Sequence, residues 1–241
     1  MSDAIIFSFL SGSATLVGAM IVIWKRSLSS RMISFALGMS ASVMIMVSWL
    51  DLLPTAIRYG DIPHLALGVG GGLSLMMLLK QFHREDRFLQ PNHQAELERL
   101  GLYLMIAVAA HNAPEGAAIG IGFGMEHAMG LHLAFAIAIH NVPEGIGLAA
   151  PLLAAGRSPL FIVLLTLITC GALPIGAWIG YKYLVAYPSV VAVGLMMAAT
   201  TMIWVVSEVG PRSLRIDQLG GWLGLIFGII LMYFLHHLHG S

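Results

Sequence analysis

The hexapeptide HNAPEG occupies residues 111–116, and HNVPEG recurs at residues 140–145. Each sits inside a run that is otherwise apolar. Burying an acid at the centre of a membrane helix costs about 2.5–3.5 kcal/mol on insertion scales, so such groups usually face an interior cavity and carry function. On a helix, residues i and i+4 stand about 40° apart. His111 and Glu115 therefore share a face, as do His140 and Glu144, with Asn112 and Asn141 on the flank of each stripe. A short connection at 126–130 makes the two segments antiparallel neighbours, so the stripes converge. The proline of each hexapeptide has no N–H, which frees the carbonyls of Ala110 and Ile139 from their usual helical partners. Bare carbonyls at membrane depth are tolerated where they line a polar cavity, and broken helices meeting near the midplane mark transporter sites.

The surroundings require lipid. The chain is 241 residues long, 58% hydrophobic and only 10% charged, with mean hydropathy +0.87. Soluble domains carry about 25% charged residues. Apolar runs able to cross a hydrocarbon core about 30 Å thick fall at 4–24, 33–53, 62–80, 101–125, 131–152, 159–181, 189–207 and 219–238. The chain thus reads as one transmembrane domain over 1–241, with residues 81–99 as its longest polar, cytoplasmic loop, containing His83 and His93. The first span is flanked by Met1-Ser2-Asp3, an acidic rather than a basic lead, and so does not read as a cleaved signal.

Charge asymmetry orients the spans. Lys25, Arg26, Arg31, Lys80, Arg84, Arg87, Arg99, Arg157, Arg212 and Arg215 fall on one side; Arg58 and Lys182 fall on the other. By the positive-inside rule the larger group is cytoplasmic, which puts both termini outside and the protein in the cell (inner or plasma) membrane. The formal net charge is zero, and no basic patch points to nucleic acid. The single Cys170 excludes an intrachain disulfide. The fifteen Met residues are read mostly as adaptable packing.

A weak internal symmetry is also visible. The second span ends VSWLDLLP (47–54) and the seventh WVVSEVGP (204–211), so Asp51 and Glu208 each stand three residues before a proline, at opposite faces. That predicts an inverted-topology repeat, with spans 1–3 mirrored by 6–8 around the fourth and fifth. The fold class is an all-α integral membrane protein of eight transmembrane helices in a 3+2+3 inverted-repeat arrangement. The donor set of imidazole and carboxylate without thiolate suits Zn²⁺, Fe²⁺, Mn²⁺ or Co²⁺ better than Cu⁺. Zinc is the first expectation, with Cd²⁺ able to use the same donors, and no organic cofactor is implied.

With its paired H-N-x-P-E-G hexapeptides, its eight-span layout and its LDLLP and SEVGP segments, the chain resembles the ZIP (Zrt/Irt-like) family of divalent metal transporters over essentially its whole length. The short loops resemble the bacterial branch. The resemblance implies uptake toward the cytoplasm, a metal site between the fourth and fifth spans, and a homodimer. It makes His111, Glu115, His140 and Glu144 the principal ligands, with Asn112 and Asn141 serving an adjacent subsite. Many relatives carry a Glu before the sixth-span proline; here Leu173 precedes Pro174, so that subsite lacks a carboxylate. Thr55 likewise follows Pro54 where an acid is frequent. Met44 corresponds to a sulfur ligand of some members.

Asp51, Glu126 and His127 are entry candidates, together with the outlying His132, and Glu208 is an exit candidate. The C-terminal His236, His237 and His239 read as an interfacial terminus or a metal-capturing tail. Two rival classes exist: an intramembrane metal-dependent enzyme and a non-conducting metal sensor. A zinc protease would need H-E-x-x-H, and di-iron bundles use Glu-x-x-His; this chain has His-x-x-x-Glu. A sensor would need an output domain, and none is evident.

Overall fold

Long apolar runs become long helices in the computed structural model, which describes residues 1–25, 29–84 and 93–239. In chain order these are α1 (Ser2–Lys25), α2 (Ser30–Tyr59), α3 (Ile62–Arg84), α4 (His93–Met125), α5 (His127–Ala154), α6 (Pro159–Leu184), α7 (Pro188–Ile216) and α8 (Gln218–His239). No strand occurs among the described residues. All of them except α4 are long and apolar enough to cross a membrane. Arg26 and Arg87 lie outside the described residues, as do the side chains of His83, Arg84, His93, Arg99 and His239.

The helices overrun the apolar spans, because a hydropathy window registers only the part that sits in hydrocarbon. Residues 93–99, expected as loop, are the polar first turns of α4. Helices α4 and α5 run on through Pro114 and Pro143, and α7 through Pro211. In α2 a wide π turn at Ser48–Leu52 precedes Pro54, with the Leu53 N–H bonded to the Ser48 carbonyl five residues back. Such a turn re-registers the ladder without ending the helix. A second π turn, Gly180–Leu184, closes α6.

The helices pack as two groups of four. Helices α1, α4, α5 and α6 pack together, and α2 packs on α7 and α8, with α3 laid against α7; the groups meet mainly where α2 lies on α5 and α4 on α7. Helix α5 is the most enclosed of the candidate spans, with 67% of its apolar window buried, and α3 the most peripheral, at 17%. Exposed residues such as Leu67, Ile168, Ile230 and Phe234 give the outside of the bundle the apolar surface that lipid requires.

Both chain ends lie at one end of the bundle. Asp3, in the first turn of α1, is 3.8 Å from His127 at the start of α5, and His236 near the end of α8 is 3.5 Å from Asp51. At the other end Asp217, alone between α7 and α8, accepts the Gly220 N–H at 2.6 Å and pairs with Arg31 at 3.5 Å. This is an N-cap on α8. Helix α5 stops at Gly156, whose φ of 80° favours glycine; the Arg157 N–H reaches back to the Leu152 carbonyl at 3.0 Å. Replacing Asp217 with alanine removes the α8 cap, with an expected loss of about 1 kcal/mol, measurable as a lowered Tm in detergent with metal binding unchanged.

Candidate metal centre

Helices α4 and α5 are joined by Glu126 alone, in extended backbone, and so run back antiparallel. This hairpin brings the two hexapeptides face to face. His111, Asn112, Glu115, His140 and Asn141 are fully buried, and Glu144 nearly so.

The four ionisable side chains close a ring. His111 Nε2 lies 3.4 Å from Glu144 Oε1 and 3.8 Å from Glu115 Oε1. His140 Nε2 lies 3.6 Å from Glu115 Oε1 and 4.0 Å from Glu144 Oε2. Each imidazole therefore faces both carboxylates, one from its own helix and one from the other. Zinc bonds of about 2.1 Å in a tetrahedron place ligand atoms about 3.4 Å apart. The sides of the ring, 3.4–4.0 Å, are close to that spacing.

The polar atoms of this ring are held in place without being satisfied. His111 Nδ1 donates to the Ala107 carbonyl at 2.9 Å, which turns Nε2 inward, as is usual for a ligating histidine. The Asn112 amide donates to the Thr169 carbonyl on α6 at 3.3 Å, and the Asn141 amide to the Ser11 carbonyl on α1 at 2.9 Å. Yet His111 Nε2, both nitrogens of His140, all four carboxylate oxygens and both asparagine Oδ1 atoms make no hydrogen bond. Buried polar groups left in that condition cost about 1–3 kcal/mol each, more if charged. Two imidazoles and two carboxylates that meet at ion-pair distance, yet short of hydrogen-bond geometry, are a donor set able to take a cation.

Small residues let the helices approach closely enough to do this. A Cβ on Gly116 would lie 2.0 Å from the Leu173 carbonyl oxygen of α6, and one on Gly145 would lie 2.0 Å from the Thr15 carbonyl oxygen of α1. The contacts are returned by Gly176 against the Ala113 carbonyl and Gly18 against the Val142 carbonyl. The α4–α6 pair thus repeats the α5–α1 pair: asparagine to carbonyl, hexapeptide glycine to backbone, and a glycine in reply.

Met44 is buried in the apolar core with Val43 and Val47. Glu126 and His127 are exposed at the α4–α5 turn. Glu208 lies 3.6 Å from Lys80, towards the end of the bundle away from the termini. Leu173 is fully buried in that same apolar core, so an apolar side chain stands where the resemblance puts a carboxylate. Asp51 joins His132 and His236, a convergence that sequence spacing does not disclose, since 81 residues separate Asp51 from His132.

The family model described as ZIP Zinc transporter matches residues 83–236. The zinc transporter ZupT of Enterobacter sp. (strain 638) is 31% identical over 229 residues, covering 90% of this chain and 89% of its own. The ZupT proteins of Salmonella paratyphi A and Escherichia coli O127:H6 match with the same identity and coverage. The chain belongs to the ZIP zinc transporter family.

Proposed function

We propose that this protein carries Zn²⁺ across the membrane into the cytoplasm, binding it between α4 and α5 through His111, Glu115, His140 and Glu144. The observation that carries the reading is the buried ring of two imidazoles and two carboxylates whose donor atoms have no other hydrogen-bond partner. Asn112 and Asn141 offer oxygens at its flank. With a leucine at position 173 in place of an acid, one ion per ring is the expected occupancy. Fe²⁺, Mn²⁺, Co²⁺ and Cd²⁺ meet the same donors and compete to differing degrees.

All eight helices span the membrane in this reading, in a 3+2+3 inverted repeat with both termini outside, and the protein works as a homodimer. The matched α4–α6 and α5–α1 contacts support the repeat. Lys25, Arg31, Arg157 and Arg215 support the orientation, since they lie at helix ends away from the chain termini. A potential negative inside draws a dication inward with about 4.6 kcal/mol per 100 mV, twice the value for one charge. The ion enters at the Asp51 end and leaves past Glu208.

Purified protein reconstituted in liposomes and given external radiolabelled zinc is expected to accumulate it over time, faster with an inside-negative potential. Stoichiometric binding without accumulation would instead indicate a sensor.

A further inference from the structure

Away from the ring, one more group of metal-capable side chains converges. Asp51 Oδ2 lies 3.1 Å from His132 Nε2, while Asp51 Oδ1 lies 3.5 Å from His236 Nδ1. One ligand atom from each of the three residues lies within 4.8 Å of the other two. We propose that Asp51, His132 and His236 form a second divalent-cation site, at the end of the bundle that carries both chain termini. Its occupant is a zinc-like ion, by the same donor chemistry as the ring.

Two imidazoles and one carboxylate are the protein ligands of an open zinc site, with the fourth position left to water. The exposures fit that division. The Asp51 and His132 side chains are 11% exposed, whereas His236 is 39% exposed, so the mouth of the site opens past His236. An open position favours exchange over permanent capture. The local backbone supplies a reason for the aim of Asp51: it stands in the π turn Ser48–Leu52 of α2, and such turns cluster at functional positions. A ring contact at 6.1 Å between His132 and His236 leaves room between them for the carboxylate and an ion.

The three residues come from different parts of the fold. Asp51 on α2 and His236 on α8 belong to one helix group, and His132 on α5 to the other. An ion held there ties the groups together at their outer ends. Along α5, His132 stands eight residues, about 12 Å, from His140 of the ring. That the site passes its ion on to the ring rests on the transport reading above; that it binds an ion does not.

The two are separable by counting metal. Glu115→Gln/Glu144→Gln protein in lipid nanodiscs, equilibrated with Zn²⁺, is expected to retain one bound equivalent. Adding His236→Ala or Asp51→Asn should weaken that equivalent at least about tenfold. His236 is partly exposed, so its removal tests the site even if Asp51→Asn fails to fold. Cobalt(II) in place of zinc should show the absorption of an imidazole-ligated ion, lost in the His236→Ala background. No residual equivalent, or one indifferent to His236→Ala, overturns the inference. Wild-type protein that binds both equivalents yet never loads liposomes would overturn the transport reading and leave this site standing.

Discussion

Glu115→Ala and Glu144→Ala should each lower zinc uptake into liposomes by about 100-fold or more, measured as initial rates of radiolabelled zinc accumulation. Loss even of an outer group that merely orients a ligand costs about 10–100-fold in metal affinity, and in the proposed function these carboxylates are direct ligands. Each also faces both imidazoles, so its removal opens the ring on two sides at once. The glutamine variants keep the side-chain volume and remove only the charge and an oxygen donor. They should elute and melt like wild type while failing to transport, which separates a lost ligand from a lost fold. If Glu115→Gln protein carried zinc at the wild-type rate, the ring would not be the route.

Gly116→Ala and Gly145→Ala are the other large effects expected, and they act through backbone rather than ligand. In each case the new methyl would sit 2.0 Å from a neighbouring carbonyl oxygen. A backbone atom cannot swing aside, so α6 must move off α4, or α1 off α5, by roughly 1 Å. Overpacking of this kind costs about 1–3 kcal/mol, occasionally more. The same displacement pulls Thr169 from Asn112, or Ser11 from Asn141, and loosens the flank of the ring. Lowered Tm and weakened zinc binding are expected together. Gly171→Ala, on α6, is the internal control, since nothing lies within 4 Å of its added Cβ. It should be neutral or slightly stabilising, because alanine is the better helix former by about 1 kcal/mol.

The ring was legible in the sequence because its geometry is local. His111 with Glu115, and His140 with Glu144, share a face by helical spacing alone, and a short connection does the rest. What surrounds it was not legible in that way. Which carbonyls receive Asn112 and Asn141 depends on α6 and α1, whose positions are a matter of packing. A missing N–H frees a carbonyl without ending a helix: α4 and α5 stay continuous through Pro114 and Pro143, and α2 carries Pro54 behind a π turn. The convergence of Asp51, His132 and His236 was invisible, because no period in the chain connects α2, α5 and α8. Only the approach of the two helix groups does so.

The most direct measurement is the position of the ion itself. Crystals of zinc-loaded protein, with anomalous differences collected at the zinc edge, should show a peak between α4 and α5. That peak should lie about 2.0–2.2 Å from His111 Nε2, His140 Nε2 and an oxygen of each of Glu115 and Glu144. Zinc bound elsewhere in the protein, with the ring empty at saturating metal, would contradict the account.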